Sequence, residues 1–227
     1  MMNIAIDGPA GAGKSTIARK VAQKLSFIYV DTGAMYRAMA LYLHQRGISP
    51  EDREAIAKTC MEPEISIEYQ DGEQVVVLNG ENVNSLLRTQ EVSDMASRSS
   101  AVPQVRERLM ELQRKLALEQ NVVMDGRDIG TVVLPDAQVK IYLTASVGVR
   151  ARRRYLELKE KGGDPDFATI EEEIAARDHR DMTREVAPLR QADDAVLVDS
   201  SDMSIEEVVS HIMTIISDRS LKCIIRL

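Results

Sequence analysis

The sequence predicts an α/β fold: a parallel sheet with helices on both faces, into which a small antiparallel sheet is inserted. Three observations carry this prediction. Short apolar runs alternate with stretches of helical spacing, the first run ends in a glycine-rich loop, and one block between residues 60 and 93 alternates apolar with polar positions between turn signals. The chain has 227 residues, 44% of them hydrophobic, which suits one sizeable core with a small appended subdomain and is too little for two large domains. With no Trp and two Phe, that core must be built from Leu, Ile, Val, Ala and Met.

The elements follow in order. Asn3 to Asp7 is a short apolar strand that runs into a loop from Gly8 to Gly13. From Lys14, apolar residues at Ile17, Ala18, Val21, Ala22 and Leu25 have helical spacing. Phe27 to Val30 reads as the next buried strand, followed by Asp31-Thr32-Gly33 and a helix through Met35, Met39 and Leu43. The period then changes. Glu64 to Tyr69 and Gln74 to Leu78 read as strands about an Asp71-Gly72 turn, and Asn79-Gly80 turns into a short segment from Glu81 to Val83. This insertion is expected to be a mobile subdomain over residues 60–93. A helix from Val105 to Leu118 restores the parallel pattern, with strands at Asn121 to Met124, Val139 to Leu143 and Ala195 to Val198. Helices are expected at Val149 to Lys161, Ile170 to Thr183 and Ile205 to Ser217, and the apolar end from Leu221 to Leu227 carries no strong signal.

A net charge of −7 argues against a dedicated nucleic-acid binder, which carries a basic face. Cys60 and Cys223 show neither metal-ligand spacing nor a redox pair, so each is expected to be a reduced thiol. No apolar run reaches the roughly 18 residues of a membrane span. The N-terminus lacks the basic and long apolar regions of a signal peptide. A cytoplasmic monomer without membrane or nucleic-acid polymer partners is the expectation.

Gly8-Pro9-Ala10-Gly11-Ala12-Gly13-Lys14-Ser15 matches the Walker A pattern in full, with a strand before it and a helix after it. Its glycines let successive N–H groups face phosphate oxygens, and the helix N-terminus adds partial positive charge. Gly8 through Thr16 is therefore the expected ATP phosphate cradle, with Lys14 on the β- and γ-phosphates and the Ser15 hydroxyl as the Mg²⁺ ligand. The fold is thus expected to be of the P-loop NTPase type, a single domain over 1–227. A Walker A loop alone does not separate GTPases, motors and kinases. The chain has no Asn-Lys-x-Asp guanine-reading motif and no apolar strand ending in an Asp-Glu pair. A kinase is the best class.

A kinase whose acceptor is itself phosphorylated must hold two anionic groups together, which calls for arginines. Thr32 with Arg37, and Arg127 with Asp128, follow the C-terminal ends of expected strands, where ligands bind in open α/β sheets. Further arginines crowd at Arg150, Arg152, Arg153 and Arg154, and at Arg177, Arg180, Arg184 and Arg190.

Three further segments, Asp31-Thr32-Gly33-Ala34-Met35-Tyr36-Arg37, Asp125-Gly126-Arg127-Asp128-Ile129-Gly130-Thr131, and Arg177-Asp178-His179-Arg180-Asp181 with Arg184, resemble signatures of the bacterial cytidylate kinase family. With the phosphate loop they span the chain in order, and the inserted sheet resembles that family's monophosphate-binding region. Adenylate and thymidylate kinases share the loop but not these segments. The resemblance implies transfer of the γ-phosphoryl group of MgATP to CMP or dCMP. It places Thr32, Arg37 and Arg127 at the acceptor's phosphate, with Thr at a position where the family usually has Ser and the hydroxyl retained. Arg177 and Asp181 match positions at the ribose and phosphate, and Ser97, Arg106, Asp128 and Arg184 match the set that reads cytosine. The catalytic residues would be Lys14, Arg127, Arg177 and Asp128.

The base assignment has a physical basis. Cytosine presents an amino donor where uracil presents a carbonyl, so the Asp128 carboxylate accepts from one and repels the other. That should favour CMP over UMP by roughly 5- to 150-fold. Other readings stay open: Asp128 and Arg184 as a structural ion pair, Asp125 as an organiser of Mg²⁺ waters or as a turn cap, and residues 150–165 as a lid carrying Arg150, Arg153 and Arg154 or as a solvated helix face. The rival functions are a P-loop kinase for UMP or another small acceptor, and a nucleotide-binding regulatory module.

Overall fold

The computed structural model describes residues 1–70 and 73–224, with the backbone alone at residues 69, 70, 73 and 220–224. The predicted Asp71-Gly72 turn and residues 225–227 lie outside the described residues. In chain order the elements are β1 (Asn3–Asp7), α1 (Lys14–Leu25), β2 (Ile28–Asp31), α2 (Thr32–Gln45), α3 (Arg53–Thr59), β3 (Ile65–Gln70), β4 (Glu73–Leu78), β5 (Glu81–Asn82), α4 (Gln90–Ser99), α5 (Pro103–Glu119), β6 (Val122–Gly126), a π-turn (Ile129–Val133), β7 (Val139–Thr144), α6 (Val147–Glu160), α7 (Phe167–Thr183), β8 (Val196–Asp199) and α8 (Ile205–Ile224). The five parallel strands stand in the order β2-β6-β1-β7-β8, and β3-β4-β5 form a separate sheet. The chain divides into two compact units, Met1–Tyr29 with everything from Gln120 onward, and Val30–Glu119.

In the first unit β1 lies between β6 and β7, with Asp7 level with Gly126 on one side and Tyr142 on the other. The carboxyl ends of three strands therefore finish side by side. Ile4, Ala5 and Ile6 are fully buried, as a strand covered on both faces requires. Ile17, Ala18, Val21 and Ala22 of α1 pack into this core with Val208, Val209, Ile212 and Ile216 of α8. The α1 stripe follows the i, i+1, i+4, i+5 spacing visible in the sequence. At its end Ser26 adopts a left-handed conformation, and the Phe27 amide returns to the Ala22 carbonyl at 2.9 Å.

In the second unit Asp31 caps α2 by accepting from the Ala34 amide at 2.8 Å. The inserted hairpin pairs Ile67 with Val76 and Ile65 with Leu78. Asn79 and Gly80 form the predicted two-residue turn with φ of 50° and 84°, the geometry that a tight right-twisted hairpin needs. Val75 to Leu78 are all buried, and β4 packs against α2, so the insertion is built into this unit's core. Cys60 is a buried free thiol.

Three expectations about elements need correction. Helix α3 was not predicted, because Ile56 is its one buried residue and no stripe exists to be read. Helix α4 was also missed, although its buried set of Val92, Met95, Ala96 and Ser99 keeps the i, i+3, i+4, i+7 spacing of a short helical stripe. Helix α8 continues past Ser217 to Ile224, since no Gly or Pro intervenes to stop it. Among the described residues no helix is long and apolar enough to cross a membrane.

Candidate active site

The phosphate loop leaves β1 through a backbone conformation open to glycine alone. Gly8 has φ of 148°, and a Cβ there would sit 1.9 Å from the Leu143 carbonyl oxygen of β7. Gly13, with φ of 87°, turns the loop into α1 and leaves the first helical amides facing the loop. Lys14 is buried and donates to the Pro9 carbonyl at 2.7 Å, which folds its ammonium back over the loop. Burial pushes its pKa down, helped by the positive charges of Arg127 and Arg177 and opposed by Asp125 and Asp7.

Asp125, at the carboxyl end of β6, is buried and accepts from the Ser15 hydroxyl at 3.0 Å and the Tyr29 hydroxyl at 2.9 Å. A hydroxyl and a carboxylate side by side are hard oxygen donors of the kind Mg²⁺ selects. The described residues hold no cluster of three or more acidic, His or Cys side chains that could cage a metal.

Past β6 the chain makes the π-turn, and three charged pairs gather around this end of the sheet. Arg127 Nε donates to Asp181 at 2.9 Å, and Arg184 lies 3.6 Å from the buried Asp128 carboxylate while its Nε donates to Ala187 O at 2.7 Å. Both partners come from the end of α7, where Asp181 and Arg184 follow Arg177 at i+4 and i+7 and so share one face. Arg177 is exposed.

The third pair was not visible in the sequence. Arg150 of α6 is buried, so it does not belong to a solvated face. Its guanidinium donates to Asp178 at 2.6 Å, Ala145 O at 2.8 Å and Ala10 O at 3.0 Å, tying the phosphate loop to α6 and α7. Arg153 and Arg154 are exposed; Arg154 pairs with Glu157, and Arg153 donates to Ser200 O at 2.8 Å. A cavity of about 310 Å³ opens beside Arg153, lined by Ala12, Gly13, Thr16 and Ile17 on one side and Ser200, Met203, Ser204, Ile205 and Val208 on the other. None of those last five residues had been singled out, because small and apolar side chains after a strand carry no chemical signal.

The second unit groups its own candidates. Thr32 is buried at the start of α2, and Arg37, one turn on, lies 3.5 Å from Asp31. Gly33 passes so close that a Cβ would be 3.2 Å from both Arg37 Nη1 and Asp31 Oδ1. Arg106 of α5 sets its guanidinium 5.9 Å from the centre of the Tyr36 ring. Ser97 is exposed on α4.

A parallel sheet whose first strand delivers a complete phosphate loop, beside a carboxylate-hydroxyl pair and a bank of arginines, defines a P-loop enzyme of phosphoryl transfer. Comparison with known proteins narrows the class. The chain matches the family described as cytidylate kinase over residues 4–218, and it belongs to that family. It is 52% identical to a cytidylate kinase of Caldicellulosiruptor bescii over 93% of this chain and 94% of the relative. It is 50% identical to one of Carboxydothermus hydrogenoformans over 96% and 99%. Among solved structures, an uncharacterized protein from Eubacterium ventriosum aligns over 96% of this chain and 99% of its own with a TM-score of 0.51 at 14% identity, a likeness of fold alone.

Proposed function

We propose that this chain transfers the γ-phosphoryl group of ATP to CMP or dCMP, giving ADP and CDP or dCDP. The observation that carries the reading is the family membership over nearly the whole chain, together with the carboxylate-guanidinium pair at Asp128 and Arg184. The attacking oxygen of the acceptor phosphate is already ionised, so no general base is required. Rate then comes from positioning and from positive charge where negative charge gathers.

The residues divide the task. The loop from Gly8 to Thr16 takes the donor phosphates. Lys14, whose ammonium is folded onto Pro9 O, exchanges that acceptor for phosphate oxygens, whose negative charge favours its protonated form. Ser15 would hold Mg²⁺, with Asp125 accepting from its water shell; the ion supplies charge to shield the phosphates. The cavity beside Arg153 is the place we assign to the donor's base. Thr32, Arg37 and Arg127 take the acceptor phosphate, Arg177 and Asp181 its ribose side, and Ser97, Arg106, Asp128 and Arg184 its base. The Arg127–Asp181 pair offers a guanidinium face and a carboxylate acceptor in one unit, suited to a phosphate and a sugar hydroxyl.

The test is ADP release from MgATP with CMP, dCMP, UMP, AMP, dTMP and no acceptor in parallel. Fast turnover with CMP and dCMP and slow turnover with the others is expected. Equal rates with UMP would remove the Asp128 assignment, and release that ignores every acceptor would remove the kinase reading.

A further inference from the structure

Asp7 is the last residue of β1 and is almost fully buried, yet nothing in the proposed reaction uses it. Its carboxylate accepts from two successive amides across the sheet end, Ile129 N at 2.8 Å on Oδ1 and Gly130 N at 2.7 Å on Oδ2. Those amides open the π-turn that begins one residue after Asp128. The same turn engages Asp128 from the other side, since its carbonyl accepts from Val132 N at 2.9 Å and Val133 N at 3.1 Å. Leu134 N closes the turn on the Ile129 carbonyl at 2.7 Å. A short π segment is a costly conformation that persists where surrounding contacts impose it.

The residue types agree with this arrangement. Gly130 lies close against its neighbours, because a Cβ there would sit 3.3 Å from Asp7 Oδ2 and 3.1 Å from Lys140 Cδ and would have to push one of those side chains aside. A carboxylate is the one side chain of this size that accepts with both terminal atoms; the amide of Asn would present a donor to one of the two N–H groups. The charged groups that face Asp7 are Lys14, which favours its ionised form, and Asp128, which opposes it.

We infer that Asp7 is a positioning residue for acceptor specificity: by holding the Ile129 and Gly130 amides it fixes the backbone from which Asp128 presents its carboxylate to the acceptor base. The inference rests on the assignment of Asp128 to that base. It departs from the obvious role for a residue next to Gly8, which would be to shape the phosphate loop, and the two roles separate kinetically.

The experiment measures kcat and KM for ATP, CMP and UMP in the full chain and in Asp7→Asn, Asp128→Asn, the double variant Asp7→Asn/Asp128→Asn, and Gly130→Ala. Asp7→Asn should narrow the CMP-over-UMP ratio of kcat/KM by at least about fivefold while KM for ATP stays within about twofold. The double variant should match Asp128→Asn alone, since Asp7 acts through Asp128. Gly130→Ala, which crowds the turn off the carboxylate without removing a charge, should reproduce the signature of Asp7→Asn and carries the test if that variant does not fold. A raised KM for ATP with an unchanged nucleotide ratio would overturn the inference in favour of the loop role, as would losses that add in the double variant. If Asp128→Asn itself leaves the ratio unchanged, the base assignment fails and the role of Asp7 falls with it. A narrowed ratio in Asp128→Asn beside an unchanged one in Asp7→Asn removes the inference alone.

Discussion

Asp7 shows how one side chain carries two opposed demands. Burial pushes its pKa from 3.8 up to about 6, against the two amides and Lys14 that favour the ionised form and with Asp128 that disfavours it. The native carboxyl keeps its proton up to about pH 6, whereas in the unfolded chain it is lost near 3.8. The native state therefore holds the extra proton in that window, so stability falls as pH rises across it and is flat above. The Asn variant does not titrate. Wild type should therefore lose stability relative to Asp7→Asn, by up to about 3 kcal/mol, between pH 4 and 6, read as the pH dependence of the difference in urea midpoints. A difference independent of pH would show that Asp7 ionises normally. Gly8 makes a complementary point: its sequence signal belongs to a phosphate motif, but the reason no other residue fits is the Leu143 carbonyl of a strand some 135 positions away.

At the level of elements, α6 and α7 are joined to the phosphate loop through one buried ion pair. Arg150 and Asp178 have side chains 4% and 11% exposed, and two further donors of the guanidinium go to backbone carbonyls. Removing one member of such a pair strands the other in a poor solvent. Asp178→Ala should cost about 3–5 kcal/mol in chemical unfolding, and Arg150→Met with Asp178→Leu together should cost clearly less. A single-variant loss within about 1 kcal/mol would mean the pair is solvated in practice. The elements themselves were legible where burial produced a stripe. Strands β1, β6 and β7 and helices α1 and α5 follow their apolar runs to within two residues at their ends. Helix α3 escaped because a single buried Ile56 leaves no periodic contrast, whereas α4 does carry a stripe at Val92, Met95 and Ala96, short and closed by Ser99 in place of an apolar residue. The π-turn escaped because Ile129 to Val133 has no composition that distinguishes it from a loop. Its conformation comes from partners supplied by β1.

At the scale of the whole molecule, donor and acceptor chemistry should respond to different substitutions. Arg37→Ala should raise KM for CMP roughly 10-fold or more with KM for ATP nearly unchanged, the loss of one charge-assisted contact. Met203→Trp, which fills the cavity beside Arg153, should do the reverse. Steady-state kinetics with each substrate varied in turn would reveal the mirrored pattern, and a rise in both constants for either variant would refute the corresponding assignment. The sequence by itself determined the parallel α/β plan, the phosphate loop and the family, because periodic burial and a strand-loop-helix motif are local features that a single chain displays in order. It also pointed to Asp128 with Arg184, through their match to the positions with which the resembled family reads cytosine. The tertiary structure alone decided which charges are committed: that Arg150 is buried on Asp178 and Ala10, that Arg127 pairs with Asp181, and that Asp7 grips the turn after Asp128. Those partners are separated by 28 to 140 positions along the chain. Hydrogen bonds over such spans depend on strand register and helix packing, which leave no periodic trace in the residues that make them.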